Sequence, residues 1–275
     1  GAERKIACAA KHVQFNPEGV LVSQGTRLQL VSKQTVNLGP NAQLVFKDDG
    51  MNFVEWDCNG YKQAGLSLDI VLNPSVVINA NNPQLPVKAG FQLVVEDLEN
   101  ISINIPQIDP FKVRGAEDFV FALSNISIDR SSTANPYGII LPQITTQLYN
   151  GDLNEWKGFY ARDITVTLPQ KLSRSGEATS IYAHNMIIDD SGVTGAFGAT
   201  NLFGTNESTM SGWGFSINAL EVALVSNHLT GGSIGGDIQI PILDQPLAYT
   251  ATIEENITAQ KLDYTFAISP TANIV

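Results

Sequence analysis

Residues 215–225 read Phe-Ser-Ile-Asn-Ala-Leu-Glu-Val-Ala-Leu-Val. The stretch opens on an aromatic ring, passes through an asparagine and enters an alternation of apolar positions. Alternation at every second residue puts one set of side chains on one face of an extended chain, which is the mark of a strand. Four more stretches share this design: FQLVVEDLENISINI at 91–105, FVFALSNISID at 119–129, FYARDITVTL at 159–168 and IYAHNMIID at 181–189. Aligned on Ile101, Ile126, Ile164, Met186 and Leu220, the units recur at spacings of 25, 38, 22 and 34 residues. Each is either one long strand whose facing register shifts at the Asn or Asp, as at a β-bulge, or two strands meeting at a corner. Units that bury their apolar faces on one another build a stacked or laterally extended array. The irregular spacing argues against a strict solenoid.

The rest of the chain carries the same signature. From residue 12 to 46 short apolar runs alternate with turn residues such as Asn16-Pro17 and Gly39-Pro40. Leu247–Ile253 and Leu262–Ile268 read as a closing antiparallel pair turned at Glu254-Glu255-Asn256. Residues 151–157 are the nearest approach to a helix. The expected fold is therefore all-β: an elongated, mainly antiparallel multi-strand sandwich or stacked array of quasi-repeated long strands, with almost no helix. The stretch 81–88, with two prolines and two asparagines, suggests a short-stranded β domain over 1–88 and a long-stranded, quasi-repetitive one over 89–275.

Composition narrows the function. Charged residues make up 16% of the chain, well under the roughly one quarter usual for a soluble domain, and the net charge is −11. That balance repels a phosphate backbone, so nucleic acid is not an expected partner. No apolar run reaches the length of a membrane-spanning helix, and no membrane insertion is expected. Both ends read as those of a segment of a longer chain.

The stretches WKGFYARDITVTLP at 156–169, NMIIDDSGVTG at 185–195 and MSGWGFSINALEVALVSNHLTGGSIGGDIQIPI at 210–242 resemble segments of very large, uncharacterised exported proteins of Bacteroidota-type bacteria. The resemblance covers more than half the chain. It implies export to the cell surface or beyond, and a parent larger than this segment. It implies no catalytic residue.

The residues that could carry chemistry fit that picture. The three histidines, His12, His184 and His228, have no metal-site spacing. Gly231-Gly232-Ser233-Ile234-Gly235 matches the nucleophile-elbow pattern, yet a strand and not a helix follows it. A glycine-rich strand closely approached by another backbone is the simpler reading. No other cofactor is implied, but calcium stays open, because Asp48-Asp49 and Asp189-Asp190 lie in oxygen-rich turns. A disulfide between Cys8 and Cys58 also stays open. Trp156, Tyr160 and Trp213 are the candidate platforms for a sugar, against the alternative that such rings fill the core. Glycines flank Trp213 on both sides and would let a ligand approach.

Taken together, these features favour a non-enzymatic structural or adhesive module of a larger exported protein. Its expected partners are the rest of that parent chain or other copies of itself, with polysaccharide as a further candidate. The alternatives are a carbohydrate-binding or carbohydrate-active β domain, and a component or cargo of a secretion or injection apparatus.

Overall fold

The fold was obtained as a computed structural model. It describes all residues other than 1–6, 18, 39, 58, 98–99, 133–134, 137–138, 140, 142–151, 174–175, 208, 211, 257–260 and 271–275. The protein is all-β, with 67% of residues in strands and 3% in helix, and its described strand pairings are antiparallel. Among the described residues, helix is confined to single 3-10 turns at Leu153–Glu155 and Gln170–Leu172. The first lies inside the one stretch with helical character.

The chain divides into two compact units, one of Gly1–Arg114 with Leu123–Tyr160 and the other of Gly115–Ala122 with Ala161–Val275. The division expected near residue 88 does not fall there. A strand spanning Val87–Val95 runs straight through it and pairs with Gly60–Leu72 over nine positions. The prolines at 83 and 86 shape the approach to that strand instead of separating domains.

The strands of the first unit are β1 (Cys8–Asn16), β2 (Gly19–Leu30), β3 (Gln34–Asn37), β4 (Ala42–Phe46), β5 (Phe53–Asp57), β6 (Gly60–Leu72), β7 (Val77–Asn79), β8 (Val87–Val95), β9 (Ile101–Gln107), β10 (Phe111–Val113) and the second half of β11 (Ala116–Asp129). Pairing runs β1–β2–β5–β6–β8–β9–β11. β4 takes over from β5 along the same edge of β6. That handover leaves backbone groups without a ladder partner, and the buried Asn52 fills the gap. Its amide nitrogen donates to the carbonyls of Lys47 and Ser67, each at 2.7 Å, and its amide oxygen accepts the Ser67 N–H at 2.8 Å. A buried polar side chain is tolerated here because its hydrogen bonds are met.

The second unit continues through β12 (Gly158–Thr167), β13 (Ser180–Asp189), β14 (Gly192–Phe203), β15 (Thr209–Met210), β16 (Trp213–Phe215), β17 (Ile217–Val225), β18 (His228–Gln239), β19 (Leu247–Asn256) and β20 (Lys261–Pro270). Pairing runs β13–β14–β17–β18–β19–β20. β12 lies beside β13, where Leu168 N–H donates to the Thr179 carbonyl at 2.9 Å. β17 and β18 are joined by Ser226-Asn227, both at positive φ (48° and 67°). That is the primed two-residue turn whose twist matches the flanking strands. The β19–β20 pairing extends to Asn256 opposite Lys261, so Glu254-Glu255-Asn256 are paired strand residues and not the expected turn.

In two of the repeated stretches a single strand carries an irregular backbone at its asparagine, and no stretch forms the expected corner among the described residues. Asn125 and Asn185 sit inside β11 and β13 at φ 45° and 49°, and the β13–β14 register shifts between His184 and Ile187. Asparagine is the residue that best tolerates this left-handed backbone after glycine. The stretch at 91–105 is instead a hairpin, β8 to β9, and Asn100 caps its turn on Asp97. The stretch at 215–225 is broken at Ser216 into β16 and β17, which follow one another along β18.

Candidate functional site

The sheet of the second unit has two chemically opposite faces. Residues directly opposite one another in antiparallel strands share a face. Following the register from β13 to β20, one row reads Ile181, Ala199, Leu220, Ile234, Ala251, Phe266. The next row on that face reads Ala183, Phe197, Val222, Gly232, Ile253, Tyr264. Between them, on the opposite face, lies Tyr182, Gly198, Glu221, Ser233, Thr252, Thr265. One face is apolar across six strands and the other is polar.

The apolar face is only partly covered. Ile181 is 50% exposed, Val222 37%, Tyr264 72%, Phe266 60% and Ile268 51%. A groove of about 550 Å³ runs over it, lined by Ile164, Met186 and Leu220 of the sequence repeat together with Phe197 and Val222. Toward β20 the face carries a ladder of rings. Phe215 and Tyr249 stack at 5.2 Å between centroids, and Tyr249 and Phe266 at 6.0 Å.

On the polar face, Asp163 Oδ1 lies 2.9 Å from His184 Nδ1, and the His184 ring lies 4.7 Å from that of Tyr182. The Tyr182 hydroxyl donates to Glu221 Oε2 at 2.9 Å. Burial and the neighbouring carboxylate push this phenol up to about 12. The Tyr182 ring lies over Gly198, where an added Cβ would fall 2.5 Å from the ring. An aromatic ring covering a cross-strand glycine restores packing that glycine lacks. His184 and Asp163 are each 45% exposed on this surface, so the row is a surface hydrogen-bond network.

Ser233, the apparent elbow serine, is a mid-strand residue of β18 opposite Glu221 and Thr252. Its glycines serve the backbone. A Cβ at Gly232 would lie 2.8 Å from the Glu221 carbonyl, and one at Gly236 would collide with the Ser216 carbonyl. Ser216 is fully buried at the break between β16 and β17. It donates its N–H to the Asp237 carbonyl at 2.9 Å, accepts the Asp237 N–H on Oγ at 2.7 Å, and accepts the Tyr249 hydroxyl on its carbonyl at 2.8 Å. It is the counterpart of Asn52. Sequence reasoning passed over both residues, because nothing local distinguishes a serine or asparagine that closes a strand handover.

The three candidate sugar platforms separate. Trp156 and Tyr160 are 0% and 1% exposed, so their rings are core and offer no face to a ligand. Trp213, in the other unit, is 48% exposed. The glycines beside it answer to the backbone: Gly212 turns the chain at φ 83°, and a Cβ at Gly214 would meet the Thr205 carbonyl at 2.7 Å.

The acidic turns hold themselves. Asp49 accepts the Met51 N–H at 3.0 Å and the Ser67 hydroxyl at 2.5 Å, and Asp189 accepts the Ser191 N–H at 2.9 Å and its hydroxyl at 2.5 Å. Asp48 and Asp190 adjoin them. Among the described residues, no three His, Cys, Asp or Glu side chains converge to hold a metal. Cys8 is exposed with a free thiol, and Cys58 lies outside the described residues.

The first unit holds a buried carboxyl. Asp129 is 1% exposed, and its Oδ1 accepts the Ser131 N–H at 2.8 Å and the Ser102 hydroxyl at 3.2 Å. Burial pushes it up to about 6, against the pull of those donors and of Lys157. Ser102 and Ser131 also line a pocket of about 220 Å³ with Leu93, Asn104 and Asn135.

No family model matches the chain, and neither the curated proteins nor the solved structures give a match.

Proposed function

We propose that this chain is a non-enzymatic structural or adhesive module of a larger exported protein, and that the apolar face of its second unit is an assembly surface. The observation that supports this is the pair of six-residue rows across β13–β20, apolar throughout but for one glycine and exposed at Ile181, Val222, Tyr264 and Phe266. A sheet with one apolar face reaches stability in water by laying that face on another layer. Each large side chain newly covered contributes roughly 1.5–3 kcal/mol when fully buried. The polar face, with its hydrogen-bonded row, is suited to solvent.

A hydrophobic dye whose emission rises in apolar surroundings tests the reading. Strong binding that falls by more than half in Val222→Lys supports it. Failure of the dye to bind the folded chain overturns it. The exposed Trp213 supports a second reading, a glycan platform. A saturable change in tryptophan emission across a polysaccharide panel, lost in Trp213→Ala, would establish that reading.

A further inference from the structure

We propose that the outer edge of β20 is a seam for a second copy of this chain, the two β20 strands pairing antiparallel about Phe266. The inference rests on the assembly reading of this face and names the partner and the place of contact.

β20 pairs with β19 through ten consecutive positions, from Leu247 opposite Pro270 to Asn256 opposite Lys261, and with no other described strand. Among the described residues, its second edge therefore presents a row of unpaired backbone donors and acceptors. Folded proteins guard such edges with charges, prolines or bulges. Residues 264–269 read Tyr-Thr-Phe-Ala-Ile-Ser and hold neither a charge nor a proline, and the pairing with β19 is unbroken by a bulge. The only charges on the strand, Lys261 and Asp263, stand before this run and neutralise one another at 3.0 Å.

The run is complementary to itself. With Phe266 opposite its own counterpart, Tyr264 faces Ile268 and Thr265 faces Ala267, so apolar meets apolar on one side and small or polar residues meet on the other. Asp263 then falls opposite Ser269, and like charges never meet. The two-fold axis stands perpendicular to the sheet, so the apolar faces of both copies lie on one side and form a single surface. Such an isologous contact closes at two copies. The three side chains at its centre, Tyr264, Phe266 and Ile268, lie on the apolar face and are 72%, 60% and 51% exposed.

Sedimentation equilibrium of the whole chain tests the seam. The expected result is a reversible species of twice 29.6 kDa. In Phe266→Lys its dissociation constant should rise at least tenfold, with the far-UV circular dichroism unchanged, whereas Phe266→Tyr should leave it in place. Phe266→Cys in a background without native cysteines (Cys8→Ser with Cys58→Ser) should oxidise to a dimer linked through position 266, which decides the matter even if the lysine variant folds poorly. A chain that stays monomeric at millimolar concentration overturns the seam, as does absence of the 266 cross-link. A dimer that survives Phe266→Lys but dissociates in Val222→Lys overturns the seam and leaves the face reading intact. Failure of dye binding, by contrast, strikes the face reading alone.

Discussion

The backbone carbonyl oxygen of Ser216 occupies the space that a side chain at Gly236 would need. The oxygen cannot swing away, because it accepts the Tyr249 hydroxyl and belongs to a residue locked onto Asp237 at both its N–H and its Oγ. We expect Gly236→Ala to destabilise the fold by about 3 kcal/mol, near the top of the usual range for overpacking. Gly235, one residue earlier, has its nearest atom at 3.7 Å. Gly235→Ala should change stability by less than about 1 kcal/mol. Urea denaturation of the pair measures the contrast, and equal costs would remove the Ser216 argument.

Asp129 should make the protein less stable as neutrality is approached from the acid side. Its carboxyl is raised from 3.8 to about 6 in the fold, so the native state holds a proton that the unfolded chain releases. Stability from this group is fully present below pH 3.8 and is lost as pH rises through about 6. Two pKa units correspond to about 3 kcal/mol. Asp129→Asn should flatten the stability profile between pH 4 and 6 relative to the parent. A profile with unchanged slope there would show that Asp129 ionises normally.

Tyr182 combines two contributions that two variants separate. Tyr182→Phe removes the hydrogen bond to Glu221 while keeping the ring over Gly198, and should cost about 1 kcal/mol. Tyr182→Ala uncovers Gly198 as well, and should cost about 3 kcal/mol. Thermal unfolding gives both, and Tyr182→Phe in a Glu221→Ala background, where the acceptor is gone, should then cost almost nothing further.

Asn125 and Asn185 test whether the repeat is a backbone device. Both adopt positive φ within a strand. Asn→Ala at either position should cost about 1 kcal/mol, and Asn→Gly less than half of that, because glycine carries no Cβ to clash. If alanine and glycine prove equivalent, the asparagines act through their side chains.

The extended, antiparallel nature of the chain was legible because alternation is a local property that each strand writes for itself. The bulge at Asn185 was legible for a related reason: asparagine in a strand is costly unless the backbone there needs what asparagine tolerates. The apolar rows were not legible. Ile181 and Phe266 share a row only through five successive registers, and register is fixed by partners far along the sequence. Trp156 and Tyr160 illustrate the same limit, since a ring beside a polar loop can turn inward or outward with no change in its neighbours. The division near residue 88 was misplaced because Asn-Asn-Pro-Gln-Leu-Pro marks a turn as readily as a linker. The two-residue turn at Ser226-Asn227 did leave a trace, two polar residues between apolar alternations, one of them an asparagine that tolerates positive φ.

In the second unit, β17, β18 and β19 each pair with the strand that follows in sequence. Neighbours in space are thus neighbours in the chain, and closing each hairpin costs little loop entropy. Such a sheet can grow by accretion, one hairpin at a time, as the polypeptide becomes available. It can also gain or lose a whole hairpin over evolutionary time without disturbing the registers already laid down, so its width is a freely adjustable dimension.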